Sequence, residues 1–549
     1  MKALLRHLPV YFSLLIASSL FATTISSKST GGDWGLTSTW NGGVIPGASD
    51  DVVINGSVIA GNNACNNLTI SYGSSLSNHN GYGRTLSIYG NVVNNGTISN
   101  NSSGTLSITS YGDIINNGVW SNSGVVLKAT GVTTISQASG KYFESTTFTN
   151  DGVMDTLRLG SNVTFKKLYF NADYRTGLDI VIATNGYNLT FDSCNVNYPH
   201  FYSNDVINFN GSKLSAVLFR GNTSIDGITT VSNGCVSYNN FTVLGTLKHL
   251  DGYAISMNFN GLLTNKGSIS GLYVYLHGDL HNEGTYKPAQ TYLQSGNSHK
   301  FSQTSNKFFE GVFQIKGTDT IILQSDISFS KIWIYGDLNS TPYGGINTNG
   351  YNLTLDECSV RGFNFYGNDA INLDKSYLEN VHVRSDAELS GNYTIYNVYF
   401  DGNVTNKGTI QNLNGYGVTL FLNGKFINDG TVQNASSGGV NVDLYNDIVN
   451  NGVYKPSYTK FKSKKTIKFS QSAGTYFEGN YETNDTLDIL QLESDVVFKK
   501  IRFDGTNTAP YSTIISNGFN LTIDSSYVTE INFNGNDTVG FPCLVPFIN

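Results

Sequence analysis

Charge is scarce in this chain. Asp, Glu, Lys and Arg make up 13% of it, and Gly, Tyr, Asn, Ser and Thr stand where a helical protein would carry Ala, Glu and Lys. That composition excludes a mainly helical fold and points to strands and turns. Positive charge is shorter still, with 33 Lys and Arg against 40 Asp and Glu for a formal net charge of −7. A sequence-independent nucleic-acid binder needs Lys and Arg to displace counterions from phosphates, so that class of partner is excluded. The five cysteines, Cys65, Cys194, Cys235, Cys358 and Cys543, are too few and too odd in number for a disulfide scaffold, and they form no metal motif. Cys194 and Cys358 end the matching phrases "NLTFDSC" and "NLTLDEC", while "NLTIDSS" has Ser526. A place that accepts serine reads as a small, half-buried packing position. Long apolar runs are missing beyond the N-terminus, so no transmembrane segment is expected in the mature chain.

At the N-terminus itself, Lys2 and Arg6 precede the apolar run from Leu8 to Leu20, and Ala22 offers a cleavage point. Residues 1–22 therefore read as a secretory signal peptide, with an uncleaved anchor as the alternative.

What is abundant is one phrase. "NVVNNGTISN" around Gly96 returns as "DIINNGVWSN" at Gly118, "LLTNKGSISG" at Gly267, "DLHNEGTYKP" at Gly284, "NVTNKGTIQN" at Gly408, "KFINDGTVQN" at Gly430 and "DIVNNGVYKP" at Gly452. One step, about 22 residues, leads from Gly96 to Gly118, from Gly408 to Gly430 and from Gly430 to Gly452. It shortens between Gly267 and Gly284. A longer period lies over it. Glu144 in "KYFES", Glu310 in "KFFEG" and Glu478 in "TYFEG" recur at nearly equal intervals, each several times the shorter step. Tyr187, Tyr351 and Phe519 in "NG-Y/F-NLT" keep step, as do Tyr82, Tyr253 and Tyr416 in "NGYG", "DGYA" and "NGYG". Three large copies follow, at 51–213, 214–377 and 378–549, behind an N-terminal cap segment at 23–54.

Segments of this size cannot bury an apolar face alone, but stacked parallel coils close a continuous core. Alternating runs such as "TLSIYG" and "VTLFLNG" supply strands with every second side chain on one side. The expected fold is all-β, a right-handed parallel β-helix (solenoid) of about 22-residue coils, roughly 24 of them. The alternative is a set of tandem antiparallel β-sandwiches, because Asn-Gly between apolar residues is a strong hairpin signal. The regular step favours the solenoid. In that reading Gly supplies a left-handed corner, and Asn side chains on neighbouring coils share amide hydrogen bonds.

The two ends differ from the repeats. "GGDWGLTSTWNGGVIPGASDDVVI", with Trp34, Trp40, Pro46 and Asp50, reads as a cap over the first edge. This stretch resembles the N-terminal segments of large exported surface proteins of Bacteroidota, adhesin-like type IX secretion substrates whose β-helical repeats follow a similar Trp, Gly-Gly, Pro, Asp-x-Val-x-Ile pattern. The resemblance is confined to the segment from Trp34 to Ile54 and implies export, with a C-terminal sorting domain in many members; this sequence shows none. The third copy follows the others to Asn536 and Asp537, where they have Asn204-Asp205 and Asn368-Asp369, and then departs as "TVGFPCLVPFIN". A natural cap and a truncated or frame-shifted product are both open.

An active site is one asymmetric constellation, so residues repeated in every copy are assigned to folding first. Glu144, Glu310 and Glu478 fall there, as do Asp205, Asp369 and Asp537, which suit turn capping. The departure with most chemistry is "LHGDLHNEG", in which His277, Asp279 and His281 alternate at a spacing that could hold a divalent metal. Asp113 and Asp447 match Asp279, whereas Tyr111 and Tyr445 stand for His277, and Ile115 and Val449 for His281. A local variation is therefore the expectation. Asp50 and Asp51 would point to opposite faces of a strand and suit a turn and a cap. No nucleophile elbow, phosphate loop or zinc-spaced cluster is present. No catalytic, cofactor-binding or metal residue is assigned. Tyrosine rows in "LYVYLHG", "YNVYF" and "YFEGNY" could stack on sugar rings or pack inward. The sequons at Asn95-Gly96-Thr97 and Asn188-Leu189-Thr190 lie in the repeat phrases and report turns first.

The functional expectation is a non-catalytic, secreted or cell-surface β-helical structural or adhesion protein, with extracellular polysaccharide as the possible partner. A glycan-binding module and a β-helical polysaccharide lyase or glycoside hydrolase are the alternatives.

Overall fold

A computed structural model describes residues 23–541 except 102, 152–153, 172–179, 203, 251–253, 295, 297, 337–342, 436, 484–487, 505–510, 526 and 536–537, and the side chains of 154–155. Residues 1–22, read above as a signal peptide, Tyr253, Ser526, Asn536, Asp537 and Cys543 lie outside the described residues, as does the tail from 542. The chain divides into two compact units, Met1–Leu189 and Thr190–Asn549. The boundary falls inside the first large copy.

Both units are parallel β-solenoids, together about 21 turns at roughly 22-residue spacing. In the first unit one turn runs through three short strands, Leu68–Ile70, Ser75–Asn78 and Arg84–Ile88, and the next repeats them as Val92–Asn94, Thr97–Ser99 and Leu106–Ser110. Each pairs in parallel with its counterpart one turn on: Leu68 with Val92, Leu76 with Ile98, Leu86 with Ile108. The second unit does the same, with Val404, Phe426 and Ile448 in successive register. The strand pairings described are all parallel, with an isolated antiparallel bridge between Ser27 and Trp40, which rules out the sandwiches. Fewer turns form than the expected number, because the cap takes the residues before Asp51 and some steps lengthen to 26 residues, as from Asp326 to Asn352.

Strand alternation builds the core. In the second unit Met257, Val274, Phe313, Ile334, Val360, Leu378 and Ile395 point inward and are all at most 1% exposed. Stacked rings add to it, as with Phe148 over Phe170 in the first unit (5.5 Å between centroids) and Phe201 over Phe219 in the second (5.5 Å). Cys65, Cys194, Cys235 and Cys358 are free thiols in this core, and the position of Cys194 and Cys358, expected to be half-buried, is fully buried. Burial pushes the Cys65 and Cys235 thiols up to about 12, which keeps them protonated and unreactive.

The recurring phrase is a corner of the coil, and its Asn turns inward. Asn94 is fully buried and donates Nδ2 to Oδ1 of Asn116 at 2.9 Å and to the Val119 carbonyl at 2.9 Å. Its own Oδ1 accepts the Gly96 N–H at 3.2 Å. Asn265 and Asn282 repeat the contact at 2.8 Å. Asn406, Asn428 and Asn450 extend it over three turns, 2.9 Å at each step. The expected amide ladder is therefore present.

The role expected for the glycine is corrected. None of Gly96, Gly118, Gly267, Gly284, Gly408, Gly430 and Gly452 has positive φ. They are glycine because the backbone of the preceding turn occupies the space a side chain would need. A Cβ at Gly118 would lie 2.0 Å from the Gly96 carbonyl oxygen, and one at Gly452 would lie 2.0 Å from that of Gly430. The left-handed pairs sit elsewhere, in the "NG-Y/F-NLT" phrase: Asn185 and Gly186 (φ 54° and 83°), Asn349 and Gly350 (52° and 87°), Asn517 and Gly518 (51° and 89°).

The N-terminal stretch packs around two tryptophans. Trp34 and Trp40 are fully buried with rings edge to face at 5.0 Å, and Trp40 Nε1 donates to the Trp34 carbonyl at 2.8 Å. Asp50 accepts the Thr23 hydroxyl and the Gly47 N–H, which hold its carboxyl below the usual range. Asp51 accepts from both Asn66 and Asn67 side chains at 2.8 Å.

Candidate functional site

The acids that recur in every copy serve as staples between turns. Glu144 pairs with Lys167 (3.7 Å), Glu310 with Lys287 (2.6 Å) and Glu478 with Lys455 (3.3 Å), each lysine coming from an adjacent turn. Asp369 accepts the Gly350 N–H at 3.0 Å and the Thr348 hydroxyl, which is the turn-capping role expected of it.

The His277, Asp279 and His281 set does not converge. One strand ends at Leu276 and the next begins at Leu280, so the chain bends between them. Asp279 Oδ1 accepts the Lys300 N–H at 2.8 Å, and its counterparts do the same: Asp113 from Thr134 at 2.7 Å and Asp447 from Lys468 at 2.8 Å. His281 contacts Ser302 Oγ through Nδ1 (2.6 Å) and Glu283 through Nε2 (3.2 Å), and Glu283 also meets Lys266 (3.2 Å). Among the described residues no group of three or more His, Cys, Asp or Glu side chains could hold a metal ion.

An open cavity of about 580 Å³ in the first unit lies beside Lys141, Tyr142, Asn162 and Tyr187. Gln137 shapes it by donating to the Lys141 carbonyl (2.5 Å) and accepting from Thr164 N–H (3.1 Å). Gln471 makes the same pair of bonds to Thr475 and Val497 in the third copy.

The asymmetric feature is an outward column on the second unit. Register carries Asn258 to Tyr275, Tyr292, Gln314, Tyr335, Arg361, Glu379 and Tyr396, one residue per turn. Tyr275 and Tyr292 stack at 4.7 Å with planes 8° apart. Beside them Gln290 donates to Gln314 at 2.9 Å, and Trp333, 57% exposed, meets Tyr335 edge to face at 5.9 Å. Arg361 Nε lies 3.0 Å from Glu379 Oε1, and the Tyr377 hydroxyl donates to Glu379 Oε2 at 3.2 Å. Burial and the Glu379 charge push the Tyr377 phenol up to about 12.

A corner at Gly362, Asn380 and Asn397 (φ 60°, 51° and 54°) separates this column from a second outward row. There His382, Tyr399 and Phe421 stack at 4.2 Å per step, and Asp401 gathers His382 (3.1 Å), Arg384 (2.8 Å) and Asn423 (2.7 Å). Of the tyrosine rows singled out in the sequence, Tyr273, Tyr275, Tyr396, Tyr399 and Tyr476 face outward and are half-buried, while Tyr481 is packed inside.

Trp333, Tyr335, Arg361, Tyr377 and Glu379 were not singled out by sequence reasoning. Aligning the copies exposes them. The positive-φ corners at Lys167, Lys331 and Lys500, at Tyr198 and Glu530 beside Gly362, and at Ala216 beside Asn380 fix the correspondence. Tyr335 then matches Asn171 and Asp504, Arg361 matches Asn197 and Thr529, and Glu379 matches Ser215.

Comparison with protein-family models, with curated proteins and with solved structures gave no match.

Proposed function

We propose that the chain is a non-catalytic β-solenoid, secreted or held at the outer cell surface, that acts in adhesion to extracellular polysaccharide. The observation that carries this reading is the pairing of the repeated surface acids. Glu144, Glu310 and Glu478 are each engaged by a lysine of an adjacent turn, so each of these repeated carboxylates links two neighbouring turns within its own unit. A lyase or hydrolase would instead need an acid and a base facing one groove. The aromatic column from Tyr275 to Tyr396 supports the glycan-contacting side of the reading, since exposed rings beside amides suit sugar rings and their hydroxyls. The resemblance of the Trp34 to Ile54 segment to exported Bacteroidota surface proteins, and the signal-like residues 1–22, support export.

The test is made on intact cells that produce the full chain. Mild protease treatment should release peptides from beyond Ala22, and deleting the gene should weaken cell attachment to polysaccharide-coated surfaces. Peptides found only after lysis, or unchanged attachment, would overturn the reading.

A further inference from the structure

We propose that the outward strip bearing Trp333, Tyr335, Arg361, Tyr377, Glu379 and Tyr396 is a binding site for an uncharged polysaccharide chain lying along the stack. The proposal rests on the adhesive reading above and names the face and the ligand class. Trp333 stands where the first copy has Tyr169, also exposed, and the third Arg502; beside it the strip differs from the matching surface of the other copies, which carry Asn171, Asn197 and Ser215 in one and Asp504 and Thr529 in the other. Folding alone does not require these residues, because the same turns form without them.

The chemistry of the strip selects the ligand. Trp333 is left 57% exposed, a large apolar face that a sugar ring can cover with its C–H side. Arg361 and Glu379 neutralise each other at 3.0 Å, so the strip offers no net charge to an anionic chain. It still offers hydrogen bonds: the guanidinium has N–H groups beyond the one aimed at Glu379, and carboxylate oxygens accept more than one donor each. The Tyr377 hydroxyl is anchored on Glu379 at 3.2 Å and stays protonated as its phenol is pushed up to about 12. The column continues through the Gln290–Gln314 amide pair to the stacked Tyr292 and Tyr275, all uncharged. Turns of a parallel stack are about 4.8 Å apart, so a linear polymer along the column meets a ring, an amide or a member of the Arg361–Glu379 pair at each turn.

The chain from Thr23 onward is tested by affinity electrophoresis and titration against soluble uncharged polysaccharides (a glucan, a mannan and a xylan) and acidic ones (polygalacturonate and alginate). At least one uncharged polymer should bind. Trp333→Ala, and separately the double change Arg361→Asn with Glu379→Ser, which installs the residues of the first copy, should each weaken binding about tenfold or more. Tyr72→Ala, at a residue 93% exposed outside the strip, should leave it unchanged. Circular dichroism checks that each variant keeps its strands. Binding of an uncharged polymer that survives both strip variants would overturn the site and leave the adhesive reading standing. Binding of the acidic polymers alone would overturn the ligand class. A parent chain that binds none of the polymers would overturn the adhesive reading and the site with it.

Discussion

Asn406 donates its side-chain amide to the carbonyl oxygen of Asn428 at 2.9 Å, and Asn428 passes the same bond to Asn450. All three are fully buried. The middle member of such a ladder is both donor and acceptor, so its removal takes a bond from each side, although Asn406 keeps the Thr431 carbonyl and Asn450 the Gly452 N–H. Asn428→Ala should cost on the order of 1 kcal/mol for each buried hydrogen bond lost, the one to the Val453 carbonyl included. Because stability in a solenoid is spread over neighbouring turns, the loss should be local. Hydrogen exchange should quicken at Asn406, Asn450 and the strands beside them, with the turns of the first unit unaffected. Unchanged exchange at Asn450 would mean the ladder contributes little.

Two glycines of similar sequence context should respond differently to the same change. At Gly430 a Cβ would lie 2.1 Å from the Gly408 carbonyl oxygen, so Gly430→Ala must push two turns apart. At Gly350 φ is 87° with open space around it, and Gly350→Ala carries the left-handed penalty of roughly 1–2 kcal/mol alone. The expected order in thermal or denaturant unfolding is Gly430→Ala less stable than Gly350→Ala. The reverse order would contradict the backbone contact.

That contrast marks what a reader of the sequence can and cannot obtain. The regular step and the inward Asn of "NNG" are visible because they recur along the chain. The reason for the glycine after it is not, because the obstructing carbonyl belongs to the turn before, at Gly408 in the case of Gly430. Asn-Gly as a turn signal predicts left-handed backbone, which the chain places in "NG-Y/F-NLT" instead. The strip from Trp333 to Tyr396 was hidden for a related reason. Its residues align only once steps ranging from 17 to 26 residues are resolved into register. The turn role of Asp50 was legible, since its bond to the Gly47 N–H is local turn chemistry, whereas the partners of Asp51, Asn66 and Asn67, lie one turn on.

Acidification should loosen the face around His382. Burial holds its pKa below the ordinary 6.5, Arg384 adds to the depression, and Asp401 opposes it. Tyr399 and Tyr343 are the other titratable groups against the ring. The unfolded histidine then takes up a proton more readily than the folded one, so stability is fully present above about pH 6.5 and declines as pH falls through the folded value. Hydrogen exchange in the strands carrying His382 and Tyr399 should quicken between about pH 7.5 and about pH 5 after correction for intrinsic rates, and His382→Gln should reduce that change. An identical pH response in the variant would contradict the assignment.

The central claim is that the chain holds polysaccharide without cutting it. The direct measurement is to recover a bound polysaccharide after prolonged incubation with the purified chain and size it by chromatography. Full retention and an unaltered length distribution are expected, with no new reducing ends and no unsaturated sugar products. A shortened distribution that grows with protein concentration and time would contradict it.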